Sequence, residues 1–533
     1  MPDDDDDDST SLWSLTDEST ILRLLQENPL PDCISNDHIM DYNDNDDLFQ
    51  IGSNNNNNSS SHYRIRFPVT SELSGIAVRL SLAIMLSCWE CQEHVGIMIT
   101  ASEMEESYNG FIIFLVMEEV KNHDGDDMTK TSRHASSSSS SIRQALLASI
   151  PNMDPAETLA WYKTLKHEET KERNMKQSRG VLHVGRDTRP SSESLASLVV
   201  QMAQAAGVVV VVDYGEITTP CLHYCMNHHN DSHTIGAGGE AVVDLYYHTM
   251  AQAYAELLLS SSSSSFSFMG NSSKSNQQRS LSTNSLLVDC AGGVGFWAVR
   301  QLVSQLQQLG CHRRIVATNR IGSAPLNVSC GAHYVTTTHQ LPKWYNTPPI
   351  GKTSCAALSG DADGVVLFAA PSTTPSDSTS FCVVWNVLDV LTLLVEFVCN
   401  HVVVVTDDTK VVVVVRLLNN NHNNPDAHTL LQNTLGDRVV VITDHHEEDE
   451  LRTTVFDDNA IVVLDVDTEG RIRATWNNNI RTVDDSGSAL LLLQHVQVLL
   501  KSYPDGLALM LLVDAILYLQ HKSDWCNEWK PLS

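Results

Sequence analysis

Basic residues are scarce in this chain of 533 residues. It carries 34 lysines and arginines against 65 aspartates and glutamates, which gives a formal net charge of −31. A protein that binds a nucleic-acid backbone presents basic faces to the phosphates, so this balance argues against a nucleic-acid partner. It does not exclude a small anionic substrate, because a local group of arginines and lysines can oppose the overall field.

Long uncharged apolar runs are also missing. No stretch of about 18 apolar residues is free of charge, and the nearest approach, Phe381–Cys399, contains Asp389 and Glu396. The chain opens with the aspartate run Asp3–Asp8, whereas a signal peptide has a basic start and an apolar stretch. The sequence therefore predicts a soluble protein of the cytoplasm with no membrane partner.

Cysteine is scarce as well. Twelve cysteines in a chain of this length are too few for a disulfide scaffold, so reduced thiols are expected. Two groups resemble zinc ligands, because Cys88 and Cys91 form a C-x-x-C pair and a second cysteine–histidine group lies within residues 221–229. Structural zinc takes four such ligands at fixed spacing. The two groups are far apart in the chain, which favours cysteines of the core over a zinc site.

Low-complexity segments divide the chain into blocks. They include Asn54–Asn58, Ser136–Ser141 and Ser260–Ser265, and their composition is typical of linkers and surface insertions. The length alone suggests three or four domains, and the order of the motifs described below favours three. The predicted organisation is a disordered acidic and Asn-rich tail over 1–62, domains over 63–258, 286–418 and 428–533, and a Ser/Asn-rich linker over 259–285.

Apolar runs alternate with helical patterns through these blocks. Runs such as Val208–Val212 are continuously β-branched, which suits strands buried on both faces. The alternation predicts an α/β fold with mixed, mostly parallel sheets. Repeated valines carry little information about register. The predicted strands are 95–99, 181–184, 208–212, 286–288, 314–318, 365–368, 402–405, 411–415 and 439–442, and the predicted helices are 157–176, 191–206, 297–309 and 506–520.

One candidate nucleophile follows a predicted strand. The string Val95-Gly96-Ile97-Met98-Ile99-Thr100-Ala101-Ser102 ends an apolar strand in a turn of small residues. This is a suitable setting for an exposed serine nucleophile. On this string alone, an ordinary loop serine is the more frequent interpretation.

A second string carries two arginines between a strand and a helix. It reads Gly185-Arg186-Asp187-Thr188-Arg189-Pro190-Ser191-Ser192. Two guanidinium groups beside the first N–H groups of a helix form a plausible anion site for Arg186 and Arg189. The alternative is a helix cap beside solvated arginines.

A third string places carboxylates at alternate positions. It reads Ser359-Gly360-Asp361-Ala362-Asp363-Gly364 and precedes the predicted strand 365–368. Carboxylates spaced in this way can converge on one hard cation through oxygen ligands. An ordinary acidic turn is the alternative.

In this order, the three strings resemble the α-D-phosphohexomutases, and in particular their eukaryotic phosphoacetylglucosamine mutase branch. Further matches occur in the same order along roughly residues 63 to 530. They are Asp213-Tyr214-Gly215, Thr218-Thr219-Pro220, Leu222-His223-Tyr224, Val288-Asp289-Cys290-Ala291-Gly292-Gly293-Val294-Gly295, Cys330-Gly331-Ala332 and the helical segment Met510–Leu517.

The resemblance implies a fold, a reaction and a set of site residues. It implies three consecutive α/β phosphohexomutase-type domains, named by their phosphoserine, metal-binding and sugar-binding loops, with the fourth domain of the family absent. The implied reaction interconverts N-acetylglucosamine 6-phosphate and 1-phosphate through a phosphoserine and Mg²⁺, on the route to UDP-N-acetylglucosamine. The implied catalytic residue is Ser102, the metal ligands are Ser102, Ser359, Asp361 and Asp363, and the sugar-phosphate contacts are Arg186, Arg189, Asp465, Val466 and Asp467.

Several positions depart from the family pattern. Glu103 follows the serine where the family has histidine, Ser359 stands in place of the first metal-binding aspartate, and Gly364 replaces the arginine that closes the metal loop. The sugar loop lacks the family's Asn and His, and no R-P-S-G-T phosphate loop occurs. These changes leave a second hypothesis open, in which the chain is a catalytically impaired mutase-like protein that acts as a binding or interaction module.

Overall fold

The structure is a computed structural model, and it places 18 segments of the chain. The described residues are 16–30, 60–69, 72–91, 94–116, 154–173, 181–207, 210–229, 239–260, 285–323, 325–343, 354–369, 381–402, 411–417, 439–442, 460–466, 471–476, 488–500 and 503–519.

Strands and helices alternate through most of these segments. The helices are α1 (Glu18–Glu27), α2 (Glu72–Cys91), α3 (Pro155–Arg173), α4 (Ser192–Ala205), α5 (Thr219–Asn227), α6 (Gly239–Ser260), α7 (Gly295–Gln308), α8 (Gly331–Thr338), α9 (Val387–Val402), α10 (Ser488–Leu500) and α11 (Gly506–Leu519). The strands are β1 (Ser60–Pro68), β2 (His94–Ile99), β3 (Tyr108–Val116), β4 (Val181–Arg186), β5 (Val210–Glu216), β6 (Leu286–Asp289), β7 (Ile315–Thr318), β8 (Ser354–Leu358), β9 (Val365–Ala369), β10 (Val383–Val384), β11 (Val411–Leu417), β12 (Val439–Ile442), β13 (Ala460–Val466) and β14 (Ile472–Trp476).

The predicted α/β fold with mixed sheets is confirmed. The strand orders are β1-β3-β2-β4-β5, β10-β9-β8-β6-β7 and β12-β11-β13-β14. In each of the first two sheets three neighbouring strands run parallel, namely β2-β4-β5 and β8-β6-β7. The remaining pairs in these sheets, β1-β3, β3-β2, β10-β9 and β9-β8, are antiparallel. In the third sheet β12-β11-β13 are parallel and β14 is antiparallel.

One valine run differs from its predicted role, and the strand predicted over 411–415 is confirmed. Helix α9 continues through Val402, so the strand predicted over 402–405 is wrong at its first residue, and 403–405 lie outside the described residues. Strand β11, over Val411–Leu417, pairs with β12 and β13 of the third sheet. The third sheet therefore begins before residue 418, where the preceding domain was predicted to end.

The described chain forms two compact units. The first comprises Met1–Ile217 and Cys225–Glu240, and the second comprises Thr218–Tyr224 and Ala241–Ser533. The first sheet lies in the first unit, and the second and third sheets lie in the second unit. The division into three sequence domains stays a prediction.

Helices pack on one face of the first sheet. Apolar side chains of β2, β3 and β4, among them Ile97, Phe111 and Val184, form one core with side chains of α1, α2, α3 and α4. Gly75 lets α2 approach the end of α1, because a β-carbon there would lie 2.8 Å from the carbonyl oxygen of Pro29. Arg79 on the same helix donates to the carbonyl of Asn28.

The second unit contains a buried ion pair. Asp514 of α11 accepts two hydrogen bonds from the Arg313 guanidinium, at 3.0 and 2.8 Å, and one from the Tyr254 hydroxyl of α6 at 2.5 Å. Burial and the neighbouring carboxylate raise the pKa of Tyr254 well above its ordinary value. The Asp514 carboxylate thus links helices α6 and α11 to Arg313, two residues before β7.

The described helices include none that is both long and apolar enough to cross a membrane. The described cysteines whose state is defined are all buried and free of disulfides, namely Cys221, Cys225, Cys290, Cys311, Cys330, Cys355 and Cys382.

Replacing Asp514 by alanine should strongly destabilise the second unit. The change leaves the buried Arg313 without its counter-charge, and breaking a buried pair in this way costs about 3–5 kcal/mol. Chemical denaturation followed by tryptophan fluorescence measures the loss. Asp244→Ala is the matched control, because Asp244 is exposed on α6 and that change should cost less than about 0.5 kcal/mol. Equal losses in the two variants would contradict a structural role for the ion pair.

Candidate active site

A loop carrying Ser102 follows β2 at the end of the first sheet. This serine loop, residues 100–107, connects β2 to β3. The Asp187 amide donates to the Ile99 carbonyl at 3.0 Å, so the ends of the parallel strands β2 and β4 stay paired. The residues after both strands therefore lie side by side, as the carboxyl ends of parallel strands do.

The Asp187 carboxylate organises this strand end. It accepts from Thr100 Oγ1 at 2.8 Å, from Ser192 Oγ at 2.7 Å and from the Arg189 amide at 3.1 Å. Thr100 Oγ1 in turn accepts from the Ser102 amide at 2.9 Å. The backbone of Ser102 is thus connected to Asp187 through one hydroxyl. Neither Thr100 nor Asp187 was predicted as a site residue, although both lie within the strings that were singled out.

Arg189 is buried, and its guanidinium points into the serine loop. Its side chain pairs with Asp187 and donates to the carbonyls of Tyr108, at 2.8 Å, and Met104. Only 2% of the residue is exposed. This geometry makes Arg189 a positioning residue for the loop, whereas the sequence had suggested contact with a sugar phosphate.

Ser102 itself has a left-handed backbone conformation. Its φ is +47°, a value that is uncommon in residues other than glycine. The residue is buried, while Glu105, three positions later, is exposed. A serine held at a strained turn after a strand is a recurrent arrangement for a nucleophile.

Arg186 is more accessible than Arg189. It is the last residue of β4, and its guanidinium lies 3.3 Å from the Glu216 carboxylate at the end of β5. The side chain is 20% exposed. The pair is therefore a surface ion pair, which a ligand anion can replace at low energetic cost.

The second unit carries the acidic loop, defined here as residues 359–364, between β8 and β9. The Ser359 hydroxyl lies 3.1 Å from Asp361 Oδ1 and 2.9 Å from Asp363 Oδ1, and it accepts from the Gly364 amide at 3.0 Å. All three side chains that carry these oxygens are buried. A hydroxyl has one hydrogen, so only one of the two carboxylates can receive it.

Two glycines outside the acidic loop allow the backbone of neighbouring segments to contact it closely. A β-carbon on Gly293, in the turn after β6, would collide with the Gly360 carbonyl, and one on Gly506, at the start of α11, would collide with the Gly364 carbonyl. The Val294 and Gly506 amides also donate to loop carbonyls, each at 3.1 Å. Gly293, which lies in the string Val288–Gly295 that resembles the family, therefore allows close backbone contact with the acidic loop.

Two further side chains bind the outer carboxylate oxygens of the acidic loop. Thr219 Oγ1 donates to Asp361 Oδ2 at 2.7 Å, and Arg471 Nη1 donates to Asp363 Oδ2 at 2.6 Å. The Arg471 side chain is 10% exposed and that of Asp363 is 1% exposed. Sequence reasoning missed both partners. Thr219 lies in the quoted T-T-P string, but Arg471 is 108 residues from Asp363 and gave no signal.

The acidic loop fits a magnesium ion by the chemistry of its donors. Carboxylate and hydroxyl oxygens are the ligands that Mg²⁺ prefers, and oxygens at 2.0–2.1 Å from an octahedral ion lie about 2.9 Å apart. The Ser359 hydroxyl lies 3.1 and 2.9 Å from the two carboxylates as a hydrogen-bond partner, and the three groups together supply oxygen donors at one place. The loop supplies only two carboxylates, and no group of three or more His, Cys, Asp or Glu side chains among the described residues is placed to hold a metal.

The predicted sugar-binding residues lie at the end of β13. Val466, the last residue of the strand, is buried, and the backbone of Asp465 pairs with Arg473 of β14. The Asp465 side chain and all of Asp467 lie outside the described part of the chain. Of the predicted zinc groups, the side chains of Cys88 and Cys91 also lie outside it.

A histidine cluster lies on the first sheet. His94 Nδ1 is 3.0 Å from His183 Nε2, and His183 Nδ1 is 3.1 Å from the Tyr214 hydroxyl. The His229 ring is centred 5.1 and 5.0 Å from these two histidine rings. Burial, with the other histidines adding to it, lowers the pKa of His94 to about 4 and that of His183 well below its usual range. The cluster is therefore neutral near pH 7.

Known proteins with related sequences and folds are phosphohexomutases. A family model for the phosphoglucomutase/phosphomannomutase alpha/beta/alpha domain I matches residues 158–242. Human phosphoacetylglucosamine mutase is 27% identical over 305 residues, which cover 56% of this chain and 46% of the human protein. The chain thus spans about half the length of the curated relatives it matches.

Solved structures of mutases share the fold. A crystal structure of N-acetylglucosamine-phosphate mutase in its substrate complex, a member of the alpha-D-phosphohexomutase superfamily, matches with a TM-score of 0.67 and 20% identity over 97% of this chain and 84% of that one. The Aspergillus fumigatus N-acetylphosphoglucosamine mutase, in complex with GlcNAc-6P and magnesium, matches with a TM-score of 0.60 and 20% identity over 87% and 77%. The resemblance predicted from the motifs is confirmed, because about 56% of the chain is similar in sequence to phosphoacetylglucosamine mutases.

Thr100→Val should loosen the serine loop. The change removes the hydroxyl that accepts from the Ser102 amide and leaves that buried donor unsatisfied, at a cost of about 1–3 kcal/mol. Hydrogen exchange at the Ser102 amide should accelerate, and chemical denaturation should give a lower free energy of unfolding for the first unit. Thr164→Val is the control, because Thr164 is exposed on α3 and its hydroxyl only donates within its helix. Unchanged exchange at Ser102 would refute the connection to Asp187.

Acidification should destabilise the first unit through the histidine cluster. Histidine titrates near pH 6.5 in an unfolded chain, whereas the folded pKa of His94 is about 4. Between these values the unfolded state binds more protons, so the free energy of unfolding falls as the pH is lowered from about 6.5 to about 4. His94→Gln should reduce this slope in denaturation experiments at several pH values. His248→Gln, at an exposed residue of α6, should leave the slope unchanged, and a slope equal in all three proteins would contradict the assignment.

Proposed function

We propose that this protein is a phosphohexomutase that interconverts N-acetylglucosamine 6-phosphate and N-acetylglucosamine 1-phosphate through a phosphoserine at Ser102. The observation that carries the proposal is the serine loop, in which Ser102 is held at φ +47° and connected through Thr100 to the buried Asp187. Homology to phosphoacetylglucosamine mutases supports the choice of sugar. We place the reaction in the cytoplasm, on the route to UDP-N-acetylglucosamine, and the free buried cysteines agree with a reducing compartment.

Ser102 Oγ would carry the phosphoryl group between the two sugar hydroxyls. The phosphoryl group moves from Ser102 Oγ to the 1-hydroxyl oxygen of the 6-phosphate, and the proton of that hydroxyl passes to Ser102 Oγ, which gives a 1,6-bisphosphate. The 6-phosphoryl group of the bisphosphate then moves to Ser102 Oγ, whose proton passes to the 6-oxygen, and the 1-phosphate is left. Such transfers depend on in-line positioning. The hydrogen bonds of Asp187 to Thr100 and of Arg189 to the Met104 carbonyl would provide that positioning for Ser102.

Asp361, Asp363 and Ser359 would hold the magnesium ion, with the phosphorylated Ser102 as the fourth predicted ligand. When bound, Mg²⁺ neutralises charge on the phosphoryl oxygens during transfer. Thr219 fixes the orientation of Asp361 through its outer oxygen. The glycine contacts at 293 and 506 keep the loop backbone in place.

Contacts to the sugar phosphate are assigned to the end of β4 and the end of β13. Arg186 is a partly exposed cation that can bind a phosphate group. The segment of Asp465, Val466 and Asp467 would bind sugar hydroxyls through its side chains and backbone. Arg189 acts on the substrate only through the serine loop, because its guanidinium is buried there.

A second candidate function follows from the acidic loop. With Ser359 in place of a carboxylate and Arg471 bound to Asp363, the loop has a weaker charge for a divalent ion than a loop with three aspartates. A protein with this loop could bind a sugar phosphate without turning it over. This is the catalytically impaired, mutase-like binding module.

Ser102→Ala should abolish mutase activity. The test is a coupled assay with N-acetylglucosamine 6-phosphate, Mg²⁺ and a catalytic amount of the sugar bisphosphate. Activity should fall to background, because the variant has no oxygen to accept the phosphoryl group. Chelation of the metal should also remove the wild-type activity. Ser107→Ala is the matched control, since Ser107 is an exposed residue of the same loop, and it should retain wild-type activity.

Intact-mass spectrometry gives a second readout for Ser102. The wild-type protein should carry one phosphate that the Ser102→Ala variant lacks. A phosphate that persists in the variant, or turnover that survives it, would refute the phosphoserine assignment. Folded wild-type protein that binds the sugar phosphate without turnover would support the binding module instead.

A further inference from the structure

Arg471 lies directly before β14, and its guanidinium reaches the acidic loop. Nη1 donates to Asp363 Oδ2 at 2.6 Å, and both side chains are largely buried. Ion pairs that are removed from water interact more strongly than surface pairs, because the surroundings screen them less. The positive charge of Arg471 thus interacts strongly with the Asp363 carboxylate of the acidic loop.

The guanidinium and an ion would compete for the same carboxylate charge. Asp363 Oδ1 faces Ser359 and Oδ2 faces Arg471, so both oxygens of this carboxylate have partners within the protein. The loop holds two carboxylates and the neutral Ser359, and Arg471 offsets one of the two negative charges. A divalent cation at the inner oxygens therefore meets a net charge of about −1 from these groups, where two uncompensated carboxylates would supply about −2.

Arginine is suited to a permanent role at this position. Its guanidinium stays protonated at every physiological pH and is more weakly hydrated than an ammonium group, which lowers the cost of burial. Arg471 also compensates negative charge in the acidic loop when no ion is present. Asp361 and Asp363 are both buried, and without a nearby cation their carboxylates would repel each other.

We propose that Arg471 is a built-in counter-cation of the acidic loop, which balances Asp363 in the metal-free protein and weakens the binding of Mg²⁺. This inference rests on the proposed function, since it takes the acidic loop as the magnesium-binding loop. It assigns to one residue outside the loop the control of metal affinity, because Mg²⁺ then binds beside a fixed positive charge rather than in an uncompensated acidic pocket.

The test measures metal affinity directly on the full chain. Mg²⁺ is titrated by calorimetry into phosphatase-treated wild-type protein and into Arg471→Gln and Arg471→Met. Both variants remove the charge, and methionine keeps much of the apolar stem. Each should bind Mg²⁺ at least about tenfold more tightly than the wild type. Arg300→Gln is the matched control, because Arg300 is an exposed arginine of the same unit that contacts the Trp297 ring, and its affinity should stay within about twofold.

A double-mutant cycle locates the effect at Asp363. In the Asp363→Asn background the gain from Arg471→Gln should largely disappear, because the guanidinium then has no carboxylate to offset. Circular dichroism verifies that each variant is folded. Equal, weaker or undetectable Mg²⁺ binding by the charge-free variants would overturn the inference, and so would a full gain in the Asp363→Asn background. Phosphorylation of Ser102, read by intact mass on the same proteins before phosphatase treatment, reports on the proposed function independently.

Discussion

The Asp187 carboxylate is the interaction on which the candidate site of the first unit depends. It lies just past the end of β4 and binds the hydroxyls of Thr100 and Ser192 together with the side chain of Arg189. A buried carboxylate is stable only when its charge is compensated by such partners. Each partner belongs to a different part of the site, since Thr100 starts the serine loop and Ser192 starts α4. Strand, loop and helix are therefore held at one place by a single charged group.

In the second unit, the acidic loop is also held in place by contacts from several parts of the chain. There the acidic loop is held by backbone contact, because Gly293 and Gly506 allow two chain segments to touch it. Its carboxylates are bound at their outer oxygens by Thr219 and Arg471. The inner oxygens remain grouped around Ser359. Orientation by outer partners is a general feature of metal-binding carboxylates, and here one of those partners is itself a cation.

Sequence reasoning succeeded where local patterns carry the information. Continuous β-branched runs and helical spacing predicted β4, β5, α4 and α11 within a few residues, because burial of each element leaves a periodic signature. It failed where the signal was uniform. Val402 extends α9, where a strand was predicted to begin, and this choice cannot be made from a row of identical valines.

The candidate site followed a similar division. The serine, arginine and acidic strings were found because each lies within a few consecutive residues. The direction of the Arg189 side chain was not predictable, since a guanidinium beside a helix start can face a ligand or a loop with equal ease. Arg471 was beyond reach, because only the folded chain brings it to Asp363 across 108 residues.

The close contacts of Gly293 and Gly506 also restrict how this chain can vary. Gly293 precedes the acidic loop in the sequence and Gly506 follows it, and both contact the loop backbone. Neither position has room for an additional carbon atom unless a loop carbonyl moves. Alanine, elsewhere the mildest of substitutions, would here act on the loop without altering any of its own residues. The acidic loop therefore restricts which residues can occupy positions 293 and 506. At these two positions, lack of space excludes any side chain, whatever its charge.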